Sequence, residues 1–367
     1  MAEQKLISFA RGAPSLDIIA VDELAQCAER ALRANPAQAF GYDTAVGYPP
    51  LREWIAERQS VEVEQVVTTN GSMQADAFLF ELMVDPGDVV VVEAPTYDRT
   101  LLSLQKLGAQ VLAIPLESDG LDVEALAAAL EEGLRPKLAH VIPNFQNPAG
   151  YTLSLDKRRR LLELAEKYDF VIFEDDPYIE LRFDGERLPT MLSMDRADKV
   201  VYASSFSKTV CPGIRVGYLV GPEPVIGAVV KIATETYISP SMVSQAIVNE
   251  FCRSGAIEQS IETVKNALRE RRDALAAALR RELPEAKFVE PDGGYFMWVE
   301  LPEGSDVDVL FENARDRGLV FVKGTDFLIQ GGQNTLRIAY SGVTPAEIDE
   351  GVSRLAEAYR GVADAVA

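Results

Sequence analysis

Between residues 66 and 220, short apolar runs rich in β-branched residues alternate with longer amphipathic stretches. The runs VVTT (66–69), DVVVVE (88–93), AQVLAI (109–114), KLAHVI (137–142), FVIFED (170–175), KVVYAS (199–204) and IRVGYLV (214–220) predict strands. Helical spacing fills the gaps, as in Met73–Val84 and Leu155–Tyr168. Most of the runs are continuously apolar, which predicts strands buried on both faces. The expected fold is therefore α/β, a mostly parallel central sheet flanked by helices. Upstream, Val21, Leu24, Ala28 and Leu32 share one helical face, and Leu51, Trp54 and Ile55 repeat the pattern. Residues 240–281 predict one or two long helices with a break near Ser254-Gly255. Beyond Pro284 the elements shorten to PDGGYFMWVEL, GLVFV, NTLRIAYS and a last helix from about Pro345 to Tyr359, the pattern of a smaller α+β domain. The predicted division is a large domain over 45–280 and a small one from 1–44 plus 281–367, with residues 1–44 including an N-terminal arm.

Composition narrows the chemistry. The 367 residues are 47% hydrophobic and 25% charged, as in a folded globular protein. A net charge of −21 argues against a nucleic-acid partner, while a local basic pocket for a small anion is allowed. The single histidine, His140, rules out multi-histidine metal sites and any HExxH helix, and no metal is expected. In Ala139-His140-Val141-Ile142 it reads as a partly buried strand residue, so acid–base work falls to lysine, tyrosine or carboxylates. Cys27, Cys211 and Cys252 are odd in number and far apart, as expected of reduced thiols. MAEQKLISFARGA has no apolar signal core, and no run approaches the ~20 apolar residues that span a bilayer. A soluble, cytoplasmic protein without membrane partners is expected.

Ligands of such sheets sit beyond the carboxyl ends of the strands. After VVTT, Asn70-Gly71-Ser72-Met73-Gln74 opens a helix, either an anion site or an ordinary serine cap. Tyr97, in Ala94-Pro95-Thr96-Tyr97, is a core aromatic or a stacking platform, and Asn144 and Asn147 are turn formers or presented amides. FVIF runs into Glu174-Asp175-Asp176-Pro177-Tyr178, which resembles a metal-binding Walker B strand. However, neither a GxxxxGK(S/T) loop nor a GxGxxG is present, which disfavours nucleotide chemistry. SSFSKTVCPGIRVG follows the next strand. A lone loop lysine is usually a solvated charge. At a strand end, facing an aspartate and an anion-binding helix start, Lys208 is a candidate Schiff-base nucleophile.

Y-x4-G (Tyr42 to Gly47), N-G-S-M-Q, P-T-Y, N-x-x-N-P-x-G, E-D-D-P-Y, S-x-S-K-x6-R, G-G-Y-F-x-W and L-R-I-A-Y-S occur in this order along nearly the whole chain. Together they resemble the fold-type I pyridoxal-phosphate aminotransferases of class I/II, particularly the 2-aminoadipate and kynurenine aminotransferase branch. The resemblance implies pyridoxal 5′-phosphate as cofactor, a Schiff base on Lys208 and ping-pong transfer of an amino group between an L-amino acid and a 2-oxo acid. Asp175 would pair with the pyridine nitrogen, Tyr178 and Asn147 would bond the phenolic oxygen, and Tyr97 would stack on the ring. Ser72, Gln74, Ser205 and Arg215 would hold the phosphate, with Ser207, Gly71 and Met73 as further cofactor contacts. A homodimer is implied, Tyr42 completing the neighbouring site. Arg337 would clamp the substrate carboxylate, joined at the substrate by Asn147 and by Gly12 of the arm. The competing readings are a pyridoxal-phosphate β-lyase or decarboxylase, and a non-catalytic regulatory domain. A pattern that begins almost at Met1 and a charge of −21 leave no DNA-binding module to expect.

Overall fold

The structure is a computed structural model that describes the backbone of residues 5–366 and the side chains of 5–361; residues 1–4 and 367 of the expected small domain lie outside it. Eight strands form the main sheet: β1 Val66–Thr69, β2 Val89–Ala94, β3 Gln110–Glu117, β4 Gly120–Leu121, β5 Leu138–Val141, β6 Val171–Asp175, β7 Val200–Ser205 and β8 Gly217–Val220. Their order is β1-β8-β7-β6-β5-β2-β3-β4. The pairings β2 with β3 and β5, β5 with β6, and β6 with β7 are parallel. Only β8, antiparallel to β1 and β7, and the short β4 depart from that direction. The expected run 214–220 begins late because Pro212–Ile214 forms a 3-10 turn and Arg215 takes a left-handed backbone.

Alternation along each strand feeds two apolar layers. Val90, Val92, Phe173 and Leu219 pack with the helices Ser72–Met83 and Glu223–Tyr237 on one face. Val91, Ala139, Ile172 and Val200 pack with the helices Val123–Glu131 and Leu155–Tyr168 on the other. Burying both faces explains the strands' uniform hydrophobicity. The long helical stretch breaks where expected: Gly255, at φ 81°, separates Met242–Arg253 from Ala256–Glu282.

The second sheet comprises β9 Lys287–Phe288, β10 Phe296–Glu300, β11 Val322–Lys323 and β12 Thr335–Ala339, antiparallel in the order β9-β10-β12-β11. It shares an apolar core with the helix Ala256–Glu282 and with Ile7 and Phe9 of the arm. Ile7–Ser8 pairs in parallel with Leu319–Val320, so the arm is stitched to this part of the chain. The helix Val21–Ala34, by contrast, packs with Met242–Arg253 beside β1 and β8. Its apolar stripe, including Cys27 and Ala31, is buried against the large sheet's side rather than the small sheet.

Arg158, fully buried on the helix Leu155–Tyr168, donates to Leu153 O (2.9 Å), Pro143 O (3.1 Å), Pro189 O (2.9 Å) and Asn144 Oδ1 (2.9 Å). These bonds brace the turn after β5. Arg158→Leu would leave those acceptors unsatisfied, at a cost of about 3 kcal/mol. The expected outcome is a lowered urea midpoint, and Arg158→Lys, with fewer donors, should recover only part of it.

Candidate active site

The carboxyl ends of β1, β2, β5, β6 and β7 and the start of β8 lie on one edge of the main sheet, where the small sheet and the arm meet it. A cavity of about 570 Å³ opens there. It brings together Gly12, Ser72, Met73, Tyr97, Asn147, Asp175, Tyr178, Ser205, Ser207, Lys208, Arg215 and Arg337.

One end gathers hydrogen-bond donors and a positive charge. Gly71, at φ 88°, turns the chain from β1 into the helix Ser72–Met83, whose first turn has no side-chain cap. Free amides and the helix dipole therefore face the cavity. A Cβ on Gly71 would fall 2.2 Å from Arg215 Nη2, so glycine makes room for that guanidinium. Arg215, itself left-handed at φ 51°, donates to Asn70 O (3.0 Å) and Ser207 Oγ (3.3 Å). Ser205 Oγ donates to Ser207 Oγ at 2.9 Å. Gln74 does not line this end: its carbonyl accepts the Asn70 N–H at 2.9 Å, so it shapes the turn behind the cavity.

At the floor, Asp175 ends β6 with Oδ2 3.6 Å from His140 Nε2 and with Oδ1 buried and unpartnered. The neighbouring Asp176 points elsewhere and accepts Asn144 Nδ2 at 2.7 Å. Geometry thus separates two adjacent acids that the sequence alone does not. His140 is fully rather than partly buried, with its ring edge-on to Phe173. Asp76, one helical turn beyond Ser72, also lines the cavity. Burial, reinforced by Asp175, raises its carboxyl well above the usual range.

Lys208 follows β7. Its Nζ donates to Gly12 O at 2.7 Å and sits over the rings of Tyr295 (5.1 Å) and Tyr178 (5.5 Å). Burial first, then Arg337, lowers its amine from the ordinary 10.5 to about 8; Asp175 opposes the shift, and Arg215 and Arg11 add to it. Arg337, 6% exposed on β12, donates to Asn147 Oδ1 (2.8 Å) and Ala10 O (2.6 Å) between the rings of Phe296 (4.3 Å) and Phe327 (4.8 Å). Its Nε has no partner.

Tyr42 is 88% exposed and does not line the cavity. Sequence reasoning gave no role to several lining residues, among them Ala10, Asp76, Arg99, Ile142 and Phe327, and placed Phe296 only within a motif. Asp76 was legible from helix phase, four residues after Ser72. Phe327 carries no local signal, because it arrives from a loop of the small sheet. Among the described residues, no cluster of three His, Cys, Asp or Glu could hold a metal, and no helix is long and apolar enough to cross a membrane.

The sequence matches the family model of aminotransferase class I and II over residues 4–355. It is 36% identical to aromatic-amino-acid aminotransferase 1 of Thermococcus litoralis, covering 96% of this chain and 87% of that protein. It is also 36% identical to the 2-aminoadipate transaminase of Thermus thermophilus, covering 97% and 91%. The crystal structure of an alpha-aminoadipate aminotransferase from Thermus thermophilus, complexed with N-(5′-phosphopyridoxyl)-L-leucine, superposes with a TM-score of 0.94 at 35% identity, covering 98% of this chain and 93% of that one.

A free amine is the reactive form, so labelling of Lys208 in cofactor-free protein should rise with pH through about 8, well below the ordinary 10.5 of a lysine. Arg337→Gln removes a neighbouring cation and should move that midpoint upward. Mass spectrometry of the Lys208 peptide across a pH series reads both.

Proposed function

The chain belongs to the class I and II aminotransferases, and we propose that Lys208 is the residue through which it transfers the amino group. It is a pyridoxal-5′-phosphate-dependent enzyme that moves an amino group between an amino acid and a 2-oxo acid.

The residues present fit that cofactor. The buried, unpartnered Oδ1 of Asp175 suits a protonated ring nitrogen. The uncapped start of the helix Ser72–Met83, with Ser205, Ser207 and Arg215, suits a phosphate. Tyr97 offers the ring a flat wall. When bound, the cofactor supplies an electrophilic carbon for the amino group and a ring that spreads the charge left when the substrate Cα loses its proton.

The protein's own groups do the rest. The Lys208 amine, held near 8, is neutral often enough to act as a nucleophile and to take and return the Cα proton. Asp175 would keep the ring nitrogen of the bound cofactor protonated. Arg337 presents a desolvated guanidinium to the substrate α-carboxylate, with Phe296 and Phe327 excluding water around it. Asn147 gives its oxygen to Arg337, which leaves its N–H₂ free for the phenolic oxygen beside Tyr178. Residues 45–280 hold the cofactor, while the arm and the residues from 281 onward close on the substrate. Tyr42 projects from the protomer to complete the site of a second copy in a cytoplasmic homodimer.

One observation carries this reading: a buried lysine amine of lowered basicity shares a cavity with an unpartnered aspartate and an arginine that has no carboxylate against it among the described residues. Lys208→Ala should fold, as read by circular dichroism, yet give no visible absorption from lysine-bound cofactor and no new amino acid when supplied with an amino donor and 2-oxoglutarate or pyruvate. A variant that retained both signals would remove Lys208 from the chemistry. Consumption of donor by wild-type protein without a new amino acid would instead favour a lyase or decarboxylase.

A further inference from the structure

Arg11 lies between two residues whose carbonyls are bound by the site's own cations. Arg337 Nη2 donates to Ala10 O at 2.6 Å, and Lys208 Nζ donates to Gly12 O at 2.7 Å. Ser341 Oγ donates to Ala13 O at 3.1 Å, and the Ala13 N–H closes onto Arg11 O at 3.0 Å. A Cβ on Gly12 would fall 2.4 Å from the Phe296 ring, so the strap is pressed against the cavity wall. The backbone of Arg11 is therefore pinned on both sides, while the residue is exposed and borders both this cavity and a neighbouring apolar one.

The other cations of the cavity are already engaged. Arg215 is bonded to Asn70 and Ser207 at the anion end, Arg337 to Asn147 and Ala10, and Arg99 lies 3.5 Å from Asp98. Arg11 makes no side-chain hydrogen bond or ion pair among the described residues, yet its charge reaches Lys208. An unengaged cation fixed at the mouth of a site that already holds a carboxylate clamp calls for a second anion on the same ligand.

We propose that Arg11 is a specificity residue that binds the distal carboxylate of dicarboxylic amino acids and 2-oxo dicarboxylic acids whose α-carboxylate is held by Arg337. The inference rests on the aminotransferase reading above. An uncharged side chain has no use for the guanidinium and meets only its aliphatic stem and apolar walls such as Ile142, Val322 and Phe327.

The test compares wild-type holoenzyme with Arg11→Gln and Arg11→Lys, using glutamate and leucine as donors. Loss of a charge-assisted contact should lower the glutamate-to-leucine ratio of kcat/KM about ten- to hundredfold in Arg11→Gln, mainly through the KM for glutamate, with partial recovery in Arg11→Lys. Binding of glutarate, which carries no amino group, should weaken by a similar factor when followed by calorimetry. An unchanged ratio with unchanged glutarate affinity, or equal losses for both donors, would overturn the proposal. Wild-type protein that binds glutarate through Arg11 but transfers no amino group would uphold the contact and remove the catalytic reading instead.

Discussion

A guanidinium buried where three parts of the chain meet sets the terms for everything around it. Arg337 comes from the small sheet, takes its acceptors from the arm at Ala10 and from the turn after β5 at Asn147, and lies between two phenylalanine rings. Removing such an ion from water costs several kcal/mol, and here two neutral oxygens and two π faces compensate only in part. The arrangement persists because the elements that deliver those partners are themselves braced: the arm by its pairing with Leu319–Val320, and the turn by Arg158. A desolvated cation short of counter-charge attracts anions, so the contact that joins these three parts also leaves a positive charge facing the cavity.

The same cation acts on its neighbours. It stands next after burial among the causes of the low basicity of Lys208, and a lysine that stayed charged could neither attack a carbonyl carbon nor take a proton. Asp175 pulls the other way and moderates the shift. Parallel strands bring these groups to one edge: Asp175 and Ser205 end neighbouring strands, and Gly217 pairs with both Ser205 and Thr69. Topology thus gathers residues that lie far apart in the chain.

Much of this was legible beforehand, for identifiable reasons. Strands buried on both faces leave long apolar runs, so the large sheet showed itself as pattern, and Gly255 marked a helix break that only a glycine tolerates readily. Groups placed at strand ends, such as Ser72, Asp175 and Lys208, follow from the rule that ligands sit beyond carboxyl edges. What was hidden depends on side-chain direction. Gln74 falls in the right motif but folds back onto Asn70, and the choice between Asp175 and Asp176 lies in which way a strand end turns. The helix Val21–Ala34 displays an apolar stripe without saying which sheet will cover it.

Arg215 carries a tension of a different sort. Its left-handed backbone, at φ 51°, is one that glycine adopts freely and that costs a side-chain-bearing residue about 1 kcal/mol or more. A glycine here would avoid that cost, but it would also give up the guanidinium and its bonds to Asn70 and Ser207. If the guanidinium holds an anion as proposed, the arginine marks a place where the chain accepts a backbone cost to keep a cation at the cavity.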